Sequence, residues 1–342
     1  ASWRWIFYIN LPMCAAALGL ATTFIPKTRG QAIRTDWLNI GLMFIAVGCL
    51  QLFLDQGNSQ DWFSSHTILL LAVASVLGMA GFVYRSLTAE KPAINLRLFA
   101  YRNFTLATLC LAVFCGTQFS LLTLEPIVLQ TAFGYTALVS GITLMPMGLF
   151  SAIAVSVSSQ LINRLPTKYI VTIGASFSVL GSHYLSTFNL GATQMHFMVA
   201  NGIMGFGMGF IMVPLSVYSL ASLPDKHVTE GAGLYSYGRM LGTSIGISIM
   251  STLVSRMSQS SWHSLSAHIT AFSANTQQWL LSHHARSTDP HALAQLEQVL
   301  HQQASFTAFI DVFYLASFCF FAMLPLIWCT RQPEAQPQPV DK

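Results

Sequence analysis

Nine apolar stretches alternate with short polar connections along most of the chain. They cover residues 5–25, 37–54, 67–84, 104–133, 138–162, 168–188, 195–220, 232–254 and 307–328. A helix needs ~20 mostly apolar residues to cross ~30 Å of hydrocarbon. The stretches are continuous rather than alternating, which excludes a membrane β-barrel, so each span must satisfy its own backbone as a helix. The pattern predicts an all-α polytopic membrane protein, a bundle of nine transmembrane helices. Charged residues make up 8% of the chain, against about 25% in a soluble domain, and the mean hydropathy of +0.56 agrees.

Charge placement orients the bundle. With residue 1 outside, the inward segments carry Lys27, Arg29 and Arg34; Arg85, Lys91, Arg97 and Arg102; Arg164 and Lys168; Lys226; and Arg331 and Lys342. These are twelve of the sixteen Lys and Arg residues. The outward segments hold Arg4, Arg256 and Arg286, and Arg239 lies within a span. The positive-inside rule then predicts a periplasmic residue 1 and a cytoplasmic C-terminus. The chain opens on Ala with no basic n-region or cleavage site, so its first span does not read as a signal peptide. An odd number of spans beginning outside is expected of the later part of a longer protein.

Chemistry of other kinds finds no footing. The six cysteines (Cys14, Cys49, Cys110, Cys115, Cys319, Cys329) lie in or at the ends of spans, with no CxxC pair or ligand cluster. His263, His268, His283, His284, His291 and His301 have no HExxH or other metal spacing. GxxxxGK[ST] is absent, and the glycine runs lie inside spans rather than between a strand and a helix. An enzyme, a metal site, a bound cofactor and a nucleic-acid partner are therefore not expected.

Three sections emerge: residues 1–26 with one span, 27–102 with two spans and a basic cytoplasmic segment, and 103–330 with six spans in two sets of three. Six spans as three plus three is the half-unit of several secondary transporters. Between the eighth and ninth spans lies an outer, Ser/His/Gln-rich segment, 256–306. In it Trp262, Leu265, Ile269 and Phe272, and again Leu293, Leu296 and Leu300, fall at helical spacing. Two readings stand: amphipathic helices lying on the outer surface, or a docking surface for a periplasmic partner. The Pro- and Gln-rich tail, 331–342, is expected to be a disordered cytoplasmic segment.

Arg239 is the foremost candidate for chemistry. It sits in GAGLYSYGRMLGTSIGISIM, roughly nine residues into the eighth span and about 13 Å deep at ~1.5 Å per residue. A guanidinium there costs several kcal/mol unless it faces a cavity, a carboxylate or carbonyls. It is either a structural Arg or a counter-ion or anion contact. Gly238, Gly242 and Gly246 form two GxxxG steps beside it, which let another helix approach closely. Glu125 follows an apolar run and precedes Pro126, which leaves the Leu122 carbonyl without its helical donor. A carboxyl withdrawn from water is suited to taking up and releasing a proton; at the outer rim, in contact with water, it would have no such role. Asp311 and Asp55 are relay groups or solvated helix ends, and His183 is a titrating group or a packing histidine.

The seventh span, NGIMGFGMGFIMVPLSVY, combines Gly205 and Gly209 with Met204, Met208, Met212 and the helix-interior Pro214. Small residues admit a close neighbour, and Met offers an adaptable lining. With Phe119, Met145, Met147, Tyr235 and Tyr237, these residues suit a greasy, permissive cavity.

The motifs SWRWIFYINLP, LQLFLDQGNSQDWFSS, LFAYRNFT, QTAFGYTALVSGITLMPMG, GFGMGFIMVPL and GLYSYGRMLGTSIG run in order through the chain. Together they resemble the fourteen-span drug:proton antiporters of the major facilitator superfamily, in the multidrug exporter B (EmrB/QacA) branch. The resemblance leaves out only 256–306 and the tail. It implies spans six to fourteen: the last helix of an N-terminal six, two linking helices and a complete C-terminal six. It also implies proton-driven export of hydrophobic or amphipathic compounds by alternating access across the bacterial inner membrane. The proton gradient would replace any cofactor, and a membrane-fusion adaptor and an outer-membrane channel would be partners. Arg239 matches an arginine of that family, whereas the Glu125 position is usually apolar there. A non-transporting scaffold or assembly subunit, and an importer of a small metabolite, are the alternatives. A charge at mid-depth favours transport, and only the resemblance chooses export.

Overall fold

Each long apolar stretch folds as a helix because a backbone in hydrocarbon has no other way to pair all its polar groups. The computed structural model describes residues 4, 8, 10–24, 36–57, 65–89, 94–267, 269, 273, 277–278 and 290–330. Nine α-helices occur among them, one for each predicted span: α1 Asn10–Phe24, α2 Trp37–Gly57, α3 His66–Thr88, α4 Arg102–Thr131, α5 Ala137–Leu161, α6 Thr167–Ser186, α7 Gln194–Ala221, α8 Val228–Ala267 and α9 Pro290–Trp328. Six of these, α2, α3, α4, α5, α7 and α9, are long and apolar enough on their own to cross a membrane. The described part of α1 is 15 residues long. Helices α6 and α8 carry more Ser, Thr and Gly than the others, and many of their hydroxyls donate to carbonyls one turn back in the same helix. Lys27, Arg29, Arg34, Lys91, Phe272, Arg286, Arg331, Lys342, the histidines 268, 283 and 284, and the tail lie outside the described residues.

Residues 1–37 and 38–342 form two compact units. The first contains α1. In the second, short connections fold successive helices back on one another. The turn after α4 passes through Gly134 at φ 68°, a left-handed conformation that glycine adopts without strain. Thr136 caps α5 by accepting from the Val139 amide at 3.3 Å. Thr193 and His196 form the box that opens α7. Helices α4 to α9 pack as a bundle with α5 on α7, α4 on α8, α6 on α7, and α9 against α4, α6 and α8. Phe104, Phe114, Phe313 and Phe320 are fully buried in its core. Near the α4–α5 turn, Phe133 packs edge-on against Phe197 and Phe306, with ring centroids 5.2 and 5.6 Å apart. Large apolar side chains such as Leu138, Leu149, Phe318 and Phe321 cover the outside, as a surface that faces lipid requires.

Glycine sets the closest approaches. A Cβ at Gly238 would meet Thr108, one at Gly242 the backbone of Ala112, and one at Gly246 the backbone of Gly116. The predicted GxxxG stripe is thus the seam between α8 and α4. Along α7, Gly205 and Gly209 abut Met147 and Ala154 of α5, while Gly207 abuts Ser178 of α6, so this helix is clasped from two sides. Pro214 is buried inside α7. The residue pairs rise together along both helices of the α4–α8 seam, so these helices run parallel. Helix α2 also runs parallel to α8: Ser244 meets Gln51 and Ser248 meets Leu54. Shared direction in α2, α4 and α8 is what strict alternation of crossings requires.

The described parts of 256–306 differ from the surface-lying helices considered above. Helix α8 continues without a break to Ala267, and α9 begins at Pro290, so Trp262, Leu265, Leu293, Leu296 and Leu300 belong to prolongations of the two spans. The Ser258 and Ser305 hydroxyls bond at 3.1 Å and join them. Polar composition ends the apolar run but not the helix, because Ser, Gln and His cost a helix only fractions of a kcal/mol each.

Candidate functional site

Two polar arrangements interrupt the apolar helices, the first in an open groove and the second buried. The first is a cleft of about 650 Å³ between α2 and α8, with Phe119 of α4 in its wall. Met43, Phe44, Val47 and Gly48 supply one side, and Met240, Thr243, Ser244 and Ile247 the other. Arg239 lines it eleven residues into α8, about 16 Å along the helix. The guanidinium is partly buried and makes no ion pair among the described residues. Its charge lies close enough to act on Cys115 and Tyr235. Tyr237 lines the same cleft, its hydroxyl buried and without a hydrogen-bond partner among the described residues. A cation in a largely apolar cleft can receive the head of an amphipathic anion while its tail lies on Met and Phe side chains.

Gln51 anchors the cleft. Its Oε1 accepts from the Ser244 hydroxyl at 2.5 Å, and its Nε2 donates to both oxygens of Asp55 at 3.1 Å. The Ser248 hydroxyl donates to the Leu54 carbonyl at 3.0 Å. Asp55 is therefore an exposed helix-end carboxylate that holds the amide crossing from α2 to α8.

The second arrangement joins α4, α5 and α7. Glu125 is fully buried, and its Oε1 accepts from Asn201 Nδ2 at 2.6 Å. The same Nδ2 approaches the Thr143 carbonyl at 3.4 Å, and Thr143 Oγ1 accepts from Gln194 Nε2 at 3.1 Å. Glu125 Oε2 and Asn201 Oδ1 are buried without partners among the described residues. Glu125 stands near the α4–α5 turn end of the bundle, yet three helices enclose it, so the water-contacting rim position is overturned.

The other candidates scatter. Met204 is fully buried against Gly181, and Met147 and Tyr235 belong to the core. Met208 and Met212 pack at the edge of that core, with the Cys115 thiol 3.8 Å from the Met212 sulfur. Met145 is 69% exposed on the outer face of α5. Of the proposed lining, Phe119 and Tyr237 reach the cleft with Arg239. Asp311 is exposed on α9 on the face that bears Leu315 and Phe318. His183 is exposed beside Tyr314, ring centroids 6.1 Å apart. Neither lines the cleft. Gln51, Asn201 and Thr143 were missed. A polar side chain within an apolar run is the signal that would have found them, as it found Arg239.

Comparison with known proteins places this architecture. The family model described as Major Facilitator Superfamily matches residues 1–247. This chain belongs to the major facilitator superfamily. It is 28% identical over 335 residues to the multidrug export protein EmrB of Escherichia coli K12, covering 97% of this chain and 65% of that protein. It is 24% identical over 335 residues to the fatty acid resistance protein FarB of Neisseria gonorrhoeae, covering 97% of this chain and 66% of that protein. The chain thus spans somewhat under two thirds of the length of these relatives. A solved structure of a bacterial homologue of the human lysosomal transporter Spinster, inward-facing and unoccupied, aligns with TM-score 0.42 at 12% identity, covering 83% of this chain and 69% of that one. The superfamily fold accounts for the nine helices, and the chain is a multi-pass bacterial membrane protein.

Proposed function

We propose that this chain is part of a proton-driven exporter of hydrophobic and amphipathic compounds, and that the cleft at Arg239 takes substrates bearing an anionic head. The carrying observation is the unneutralised guanidinium in the wall of a cleft otherwise lined mostly by Met, Phe, Val and Ile. A scaffold gains nothing from a charge held there, whereas a transporter needs a polar contact beside its path. The multidrug export and fatty acid resistance named for the relatives fit a cleft of this composition. The inward-facing basic loops support a periplasmic residue 1 and a cytoplasmic C-terminus in the inner membrane. Energy would come from the proton gradient with no bound cofactor. Alternating access would move substrate past the cleft, by rocking of one helical bundle against another. The resemblance also supports a membrane-fusion adaptor and an outer-membrane channel as partners, and the prolongations of α8 and α9 offer a surface on which the adaptor could dock.

The test uses the full-length protein in proteoliposomes with an imposed pH gradient and two labelled substrates, a long-chain carboxylate and a neutral hydrophobic dye. Arg239→Gln is expected to lower carboxylate transport about tenfold, the factor that corresponds to ~1.4 kcal/mol, and dye transport less than threefold. Equal transport of the carboxylate by variant and wild type would remove the anion contact. Absence of transport of either compound by the wild type would remove the exporter.

A further inference from the structure

The proton needed by such an exporter has a place in the structure that the Arg239 cleft does not supply. Glu125 and Asn201 face each other across α4 and α7, both fully buried, with Thr143 of α5 beside them. The pair has an uneven inventory of donors. Among the described residues Asn201 Nδ2 supplies the one hydrogen bond to the carboxyl group, while Glu125 Oε2 and Asn201 Oδ1 are both left without partners. Both orphans are acceptors when the carboxyl is ionised. One hydrogen on Oε2 converts that atom into a donor, and an acid and a primary amide can then bond in both directions. A buried carboxylate with one hydrogen bond and no counter-charge is, by contrast, a costly arrangement.

Among the described residues nothing nearby supplies that counter-charge. Helix α5 contains no titratable side chain. Helix α7 brings His196 in its first turn, exposed and engaged with Thr193, and Tyr218 some 25 Å beyond Asn201 along the helix. Helix α8 brings Arg256 at this level, but it is exposed, and α9 brings the exposed Asp311 and His301. None of these bonds or pairs with Glu125 among the described residues.

The surroundings link the site to movement. Pro126 follows immediately and removes one rung of the α4 ladder, a point where a helix can bend. On one side of it α4 is held to α8 by the glycine seam from Thr108 to Gly116. Beyond the Leu122 carbonyl, which Pro126 leaves without its donor, α4 is held by the Glu125–Asn201 bond and by Gln302 of α9, which donates to the Ala132 carbonyl. Thr143 and Asn201 lie six and seven residues from the starts of α5 and α7, about 10 Å beneath that end of the bundle. In the orientation given above this is the outer side, from which protons enter.

We propose that Glu125 and Asn201 form a proton-binding site that latches α4 to α7: a proton on Glu125 closes the acid–amide pair, and its loss opens α4 about Pro126. The latch rests on the exporter reading for its role in transport. Two readouts on the full-length protein test it: the pH dependence of transport in proteoliposomes, and the infrared band of a buried neutral carboxyl, which shifts on hydrogen–deuterium exchange.

Glu125→Gln keeps the size and supplies the missing donor permanently. It is expected to abolish the infrared signal, to flatten the response to outer pH and to slow transport about tenfold. A wild-type pH profile together with an unchanged infrared band would overturn the latch and leave the exporter standing. A wild-type band that titrates and vanishes in Glu125→Gln, with no response of transport to a pH gradient, would support the proton site and remove proton drive. If Glu125→Gln does not fold, a hydrophobic carbodiimide applied to the wild type decides. Modification mapped to Glu125 should fall at least tenfold as outer pH is raised, and no modification, or modification independent of pH, would overturn the site.

Discussion

Gly246→Leu is expected to lower the thermal stability of the fold sharply. A Cβ at this position has no space, because it meets the Cα, carbonyl carbon and oxygen of Gly116, which are backbone atoms that cannot rotate aside. Helix α8 would have to withdraw from α4, and the closures at Gly242 on Ala112 and Gly238 on Thr108 would open with it. Overpacking of a tight interior costs about 1–3 kcal/mol and more where backbone is the obstacle. A loss at the upper end corresponds to a fall in Tm on the order of 10 °C. The measurement is thermal unfolding in detergent, with the monodisperse fraction after size exclusion. Gly141→Leu is the control: it lies on the exposed face of α5 with no atom within 4 Å of a built Cβ. Equal stability of the two variants would show that the α4–α8 seam does not hold the bundle.

Gly48→Trp should do the opposite, preserving the fold and removing ligand. Gly48 lines the cleft opposite Arg239, and a built Cβ there meets nothing within 4 Å. An indole would occupy the volume that a substrate tail requires without displacing a neighbour. Tm should stay within about 3 °C of wild type, which on the size scaling is roughly 1 kcal/mol. Binding of a fluorescent hydrophobic anion should weaken by more than tenfold. Undiminished binding would place the substrate elsewhere in the bundle. Gly246→Leu and Gly48→Trp together separate loss of structure from loss of site, which a single transport assay cannot do.

Span positions were legible because hydropathy is a local property: the α2–α7 apolar runs begin and end within a few residues of their helices. Arg239 was legible for the same reason, since one charge in twenty apolar residues is conspicuous. The rotation of each helix about its axis was not. Met204 and Met208 stand one turn apart in the same glycine-rich run, yet Met204 is locked against Gly181 while Met208 remains partly buried. That difference follows from α7 being gripped by α5 on one side and α6 on the other. The helical prolongations at 256–306 were obscured for another reason: a polar helix and a polar loop share a composition. Asn201 and Gln51 were overlooked because an amide carries no charge, although in hydrocarbon its unpaired polar atoms are costly too.

Helix α8 extends for 40 residues with no proline, about 60 Å at ~1.5 Å per residue and roughly twice the hydrocarbon thickness. In an alternating-access cycle it would act as a stiff lever with its fulcrum at the glycine seam. A rotation of ~5° about the level of Arg239 would swing the tip at Ala267, ~42 Å away, by nearly 4 Å. Occupancy of the cleft would thus be legible outside the bilayer as displacement of a rod, without any unfolding along the way.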